Sequence, residues 1–130
     1  MIVLDASAAV EWLLQTPAGI RVESRIFETS ESLHAPELFD LEVIQALRKL
    51  LRANAITTNR AEEAFSDLLN LRITRYPQFV LLPRIWQHRH AVTAYDAAYI
   101  VLAEELGATL ITRDARLAST AGHHARIELV

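Results

Sequence analysis

The sequence predicts an α/β domain on a mostly parallel sheet, and three observations carry that expectation. Ile2-Val3-Leu4 is a continuous apolar run, the mark of a strand buried on both faces, and it ends at once on Asp5. The stretch from Thr93 to Asp114 reads as helix, turn and strand: Ala97/Val101 and Ala98/Leu102 fall at helical spacing, Gly107 supplies the stop, and Thr109-Leu110-Ile111 is a short apolar run. Between these stretches, short apolar runs alternate with amphipathic segments of period 3.6, the rhythm of strand, crossover helix and strand.

Taken in order, the first strand leads into a helical pattern from Ser7 to Leu14, broken by Pro17 and Gly19. Ile20 to Phe27 predicts a second amphipathic helix, and Ser32-Leu33-His34-Ala35 a weak strand stopped by Pro36. Glu37 to Arg52 predicts the longest helix, with Val43, Ile44, Leu47, Leu50 and Leu51 on its apolar stripe and Glu42 near its start. Thr57-Thr58-Asn59 caps a helix from Arg60 to Leu71, and the two helices read as a hairpin laid on the sheet. Val80-Leu81-Leu82 reads as a third apolar run between Pro77 and Pro83, followed by a short helix from Arg84 to His90. A last short helix over 115–121 and an edge strand over 127–130 complete one domain spanning 1–130, with no repeat or linker.

Composition narrows the chemistry. With no cysteine, disulfides, thiolate zinc sites, iron-sulfur clusters and cysteine nucleophiles are excluded, so any metal is held by oxygen or imidazole. The apolar N-terminal stretch lacks a basic n-region and contains Asp5 and Glu11, a poor signal peptide, and no uncharged run reaches the ~18 residues of a membrane span. The expectation is a soluble, cytoplasmic protein without membrane contact. Residues 1–67 hold eleven acids against six bases, whereas residues 68–130 hold five against seven. No acid occurs between Asp67 and Asp96, where Arg72, Arg75, Arg84 and Arg89 stand among aromatics, a composition suited to phosphates and unstacked bases. Arg84 and Arg89 are therefore the first candidates for phosphate contact, with Arg113 and Arg116 as alternates. The same segment also reads as a core strand and loop with ordinary solvated arginines.

The acids are the candidates for chemistry. Asp5 and Asp114 follow two strands that neighbour one another in such a fold, so they should be close at the carboxyl edge of the sheet. Read from the chain alone, Asp96 falls at the opposite end of the last of these strands unless loop geometry brings it round, and Glu42 has no fixed place. Two of the acids also have an ordinary reading: Thr93-x-x-Asp96 fits a capping box and Asp114 fits an N-cap. If the four met, they would need a counter-charge, and an oxygen-only set favours Mg²⁺ or Mn²⁺, which orients phosphates and activates water. Ser7 and Thr112, two residues from Asp5 and Asp114, are placed to support a carboxylate. A phosphatase of the aspartyl-nucleophile type would want an acid where Ser7 stands, and a phospho-receiver would want a late lysine, whereas Lys49 is the only lysine.

Asp5-Ala6-Ser7, Pro36-Glu37-Leu38 followed by Glu42, Tyr95-Asp96-Ala97-Ala98-Tyr99, and Thr112-Arg113-Asp114 together resemble the PIN-domain ribonucleases, over essentially the whole chain. Within that family the chain is similar to the VapC-type toxins of type II toxin-antitoxin modules. The resemblance implies a three-layer PIN-like fold in which Asp5, Glu42, Asp96 and Asp114 gather round Mg²⁺ or Mn²⁺. It implies an endoribonuclease that hydrolyses RNA phosphodiester bonds by metal-activated water, forms a homodimer and is inhibited by a cognate antitoxin. The alternative is a catalytically weak PIN-like binding module acting through antitoxin and DNA. For the antitoxin, Val10, Trp12, Leu13 and Leu14 are the expected contact, in a chain that is 52% hydrophobic.

Overall fold

The computed structural model describes residues 1–130. Five strands, β1 (Ile2–Leu4), β2 (Leu33–Pro36), β3 (Thr74–Tyr76), β4 (Thr109–Thr112) and β5 (Arg126–Leu129), form one wholly parallel sheet in the order β3-β2-β1-β4-β5. The helices are α1 (Ala6–Leu13), α2 (Pro17–Thr29), α3 (Leu38–Arg52), α4 (Thr58–Leu69), α5 (Leu82–Gln87), α6 (Ala94–Leu106) and α7 (Ala115–Ala118).

The strand order fixes the layers. Crossovers from β1 to β2 and from β2 to β3 move one way across the sheet, while those from β3 to β4 and from β4 to β5 move the other way. Right-handed connection therefore lays α1 to α4 on one face and α5 to α7 on the other. Accordingly α1, α2, α3 and α4 pack among themselves, while α6 covers β1, β2 and β4 with α5 against it. The direction reverses between β1 and β4, and that switch point opens a crevice at the carboxyl ends of the strands.

β1 and β4 are buried along their whole length, and α6 is buried continuously from Ala97 to Ala103, as expected of a helix apolar all round. Gly107, at φ +60, ends α6 in the left-handed region and turns the chain into β4 within two residues. α3 turns Phe39, Val43 and Leu47 inward, whereas Ile44, expected on the same stripe, is exposed.

Several expectations are corrected. Val80-Leu81-Leu82 is not a strand: Phe79–Leu81 is a 3-10 turn running into α5, and only Leu81 of the three is buried. The third strand is Thr74–Tyr76, which lacks an apolar run because it lies at the sheet edge. Pro17 and Gly19 do not merely break the first helix; they form the first turn of α2, where Pro lacks only an N–H that the helix leaves unpaired. Val10 and Leu13 lie in the core, and Trp12 and Leu14 pack against it, with Trp12 meeting the Phe27 ring edge-on. The exposed apolar surface expected there is therefore largely consumed by packing.

Candidate active site

All four acids issue from the carboxyl edge of the sheet. Asp5 follows β1 directly, and its N–H continues the β1–β4 ladder by donating to Ile111 O at 3.0 Å. Asp114 follows β4 by one residue. α3 starts where β2 ends, which puts Glu42 in its second turn. Asp96 joins the same edge: a crossover helix runs antiparallel to the strand it feeds, so the start of α6 lies over the end of β4 rather than its beginning.

Asp5 is the centre of a closed hydroxyl brace. Ser7 Oγ donates to Asp5 Oδ2 at 2.6 Å and Thr112 Oγ1 donates to the same oxygen at 2.7 Å. Each hydroxyl in turn accepts a backbone N–H, from Arg113 and Asp114 respectively, both at 3.0 Å. The loop after β4 is thus tied to the loop after β1. The ordinary capping readings also hold. Thr93 Oγ1 accepts from Asp96 N, and Asp114 Oδ1 accepts from Arg116 N at 2.9 Å as the cap of α7. Capping uses one oxygen of Asp114 and leaves the other without a protein partner.

The electrostatics follow from burial and proximity. Asp5, only 7% exposed, is pushed above the usual carboxylate range chiefly by burial, with Ser7 and Thr112 opposing and Asp114 adding repulsion. Glu42 is raised by burial and by Asp5 and Asp96, against a hydrogen bond from Tyr99. Asp96 is raised by burial and by Asp5 and Asp114, with only Arg116 opposing through charge. The site is a set of mutually repelling carboxylates whose one basic partner is the exposed Arg116. As they stand, no three of these groups converge closely enough to hold one ion.

The candidate arginines separate. Arg84 pairs with Glu104 at 3.1 Å and with Glu105, near the far end of α6 from Asp96. Arg89 lies 4.7 Å from the Trp86 ring centroid and donates to Trp86 O. Arg113 donates to Val130 O at 2.6 Å, and Arg116, 94% exposed, stands 3.8 Å from Asp114. Only the last two adjoin the carboxylates. A groove of about 1130 Å³, lined by Trp12, Phe27, Leu33, Leu71 and Thr74 among others, lies at the amino edge of the sheet, away from the acids. Crevice chemistry, not cavity size, therefore locates the site.

Residues 2–123 match the PIN domain family. The chain belongs to that family. Among curated PIN-domain relatives, Ribonuclease VapC12 of Mycobacterium tuberculosis is 46% identical over 130 residues, covering 100% of this chain and 99% of the relative. Ribonuclease VapC9 of the same organism is 39% identical over 120 residues, covering 92% and 91%. The resemblance to VapC-type PIN ribonucleases is thereby shown. In solved structures, PAE2754 from Pyrobaculum aerophilum superposes with a TM-score of 0.70 at 24% identity, covering 97% of this chain and 81% of that one. Mycobacterium tuberculosis VapC20, described as a sarcin-ricin loop cleaving toxin, gives 0.66 at 14% identity, covering 95% and 97%. These two likenesses establish the PIN fold.

One site residue escaped the sequence reading. Tyr99 is fully buried and donates to Glu42 Oε1 at 2.7 Å. The signal was present, since Tyr99 stands three residues after Asp96 and so on the same face of α6.

Proposed function

We propose that this PIN domain is an endoribonuclease, the toxin half of a toxin-antitoxin pair, acting in the cytoplasm as one catalytic domain. Its candidate site is Asp5, Glu42, Asp96 and Asp114 with Mg²⁺ or Mn²⁺. The observation that carries the reading is the crevice itself: four acids from distant parts of the chain repel one another at the switch point, and the one cation paired with them is the exposed Arg116. The donors are hard oxygens, and Asp5, Glu42 and Asp114 each keep one oxygen free of side-chain partners, which suits such a cation. When bound, the cation supplies the positive charge that offsets the carboxylates and favours attack of water on the phosphodiester.

The chain's own part is positional. Ser7 and Thr112 hold Asp5, the N–H groups at the start of α7 hold Asp114, and Thr93 fixes the turn that carries Asp96. Arg113 and Arg116 take the phosphates, because Arg84 is already paired elsewhere and Arg89 lies over Trp86. RNA cut by the purified protein should carry 5′-phosphate and 3′-hydroxyl ends and stay uncut in EDTA. Cyclic phosphate ends, or cleavage unaffected by EDTA, would overturn the assignment. In the same assay Arg116→Ala should weaken RNA binding and flatten its salt dependence, while Arg84→Ala should not. Equal salt slopes for all three proteins would place the contacts elsewhere.

The partner is a small antitoxin that suppresses cleavage, and the toxin itself is a homodimer. Co-expression with the neighbouring open reading frame should relieve toxicity and yield a complex, and sedimentation should give twice the chain mass for the toxin alone. Absence of both complex and relief would remove the antitoxin from this account.

A further inference from the structure

α3 and α6 belong to crossovers on opposite faces of the sheet, yet a phenol and a carboxylate join them at its carboxyl edge. Tyr99 Oη donates to Glu42 Oε1 at 2.7 Å, and no other side chain bonds Glu42. The Tyr99 ring is wholly enclosed in the core. From the other side, Asp40, two residues before Glu42, is held by Arg75 of β3 through two bonds of 2.8 and 2.9 Å. The turn that carries Glu42 is thus anchored at one point and its side chain at another.

We propose that Tyr99 is a positioning residue for the cation site, fixing Glu42 through Oε1 so that Oε2 remains to act as the ligand. The proposal rests on the reading of the four acids as cation ligands. A glutamate has three rotatable bonds, and freezing them on binding weakens a ligand that nothing else orients. A donor with an immobile ring freezes the carboxylate beforehand. Groups behind a ligand in this way change metal affinity by roughly 10- to 100-fold when removed.

The test is a cycle of Tyr99→Phe and Glu42→Gln, singly and together, with Mn²⁺ affinity measured by calorimetry and thermal midpoints recorded in EDTA. Tyr99→Phe should weaken Mn²⁺ binding by about tenfold or more in the parent and have no further effect in the Glu42→Gln background. A wild-type chain that binds no Mn²⁺ would sink the cation-site reading itself. Wild-type binding that Tyr99→Phe leaves unchanged, or weakens equally in both backgrounds, would overturn the positioning role alone. Should Tyr99→Phe fail to fold, Tyr76→Phe with Tyr95→Phe leaves Tyr99 as the sole tyrosine. Its ¹³Cζ resonance should then move during a Mg²⁺ titration with the midpoint found by calorimetry. A resonance that stays still while Mg²⁺ binds would overturn the proposal.

Discussion

Asp114 caps a helix, and in the proposed function it also serves the cation site. One oxygen caps α7, the other has no protein partner, and the charge repels Asp5 and Asp96. Asparagine keeps a cap oxygen and caps helices about as well as aspartate, but it removes the negative charge. Asp114→Asn should therefore melt within a few degrees of the wild type and lose activity by at least about 100-fold, the size of effect expected when several kcal/mol of charge stabilisation is lost. Full activity in this variant would reduce Asp114 to a cap. The same substitution at Asp96 leaves the Thr93 cap intact, because there the acceptor is the threonine. Both readings of these acids were visible in the sequence and both hold for the capping part, so only a charge-removing, shape-keeping change separates them.

At the scale of elements, α1 and α2 touch through a glycine. A Cβ on Gly19 would stand 1.9 Å from the backbone carbonyl oxygen of Glu11, and backbone cannot swing aside as a long side chain does. Gly19→Ala should cost about 1–3 kcal/mol by forcing the helices apart, read as a lower midpoint in urea. An unchanged midpoint would mean that the pair slides freely. Legibility also varied by element. β1, β4 and α6 announced themselves because burial on every side demands uninterrupted apolar residues. β3 did not, because an edge strand with Thr74 exposed and Arg75 and Tyr76 half-buried satisfies its sheet without an apolar run. Val80 and Leu82 misled for the opposite reason, being apolar yet exposed. The place of Asp96 turns on helix direction, which the chain pattern left open, and of the Tyr99–Glu42 bond only the face that Tyr99 shares with Asp96 was legible locally.

For the whole molecule, the acid cluster links stability to pH. Asp5, Glu42 and Asp96 sit above ordinary values of about 3.8 and 4.5, so the folded chain binds protons more tightly than the unfolded one. The sign follows: their contribution is fully present below those ordinary values and is lost as pH rises through the raised ones. Glu31, lowered to about 2 by the Met1 ammonium and other hydrogen-bond donors, works the opposite way and withdraws its support as pH falls toward 2. Buried His34, lowered from 6.5, also favours the folded chain as pH rises. Comparing wild type with Asp96→Asn cancels these two. In EDTA the variant's advantage in melting temperature should grow as pH rises above about 4.5, and saturating Mg²⁺ should shrink it. An advantage flat across pH would show that the carboxylates do not share a site.

The place of β4 beside β1 has a consequence for synthesis. The two acids that flank the switch point, Asp5 and Asp114, are separated by 109 positions, and β4 enters beside β1 only after three other strands have been made. At the ~5–20 residues per second of translation, roughly 5–20 s pass between the two aspartates leaving the ribosome's catalytic centre. Through that interval the growing chain has a sheet open along β1 and only part of its carboxylate set. If the four acids act together as proposed, the chain cannot cut the messenger that encodes it until almost its whole length has been made.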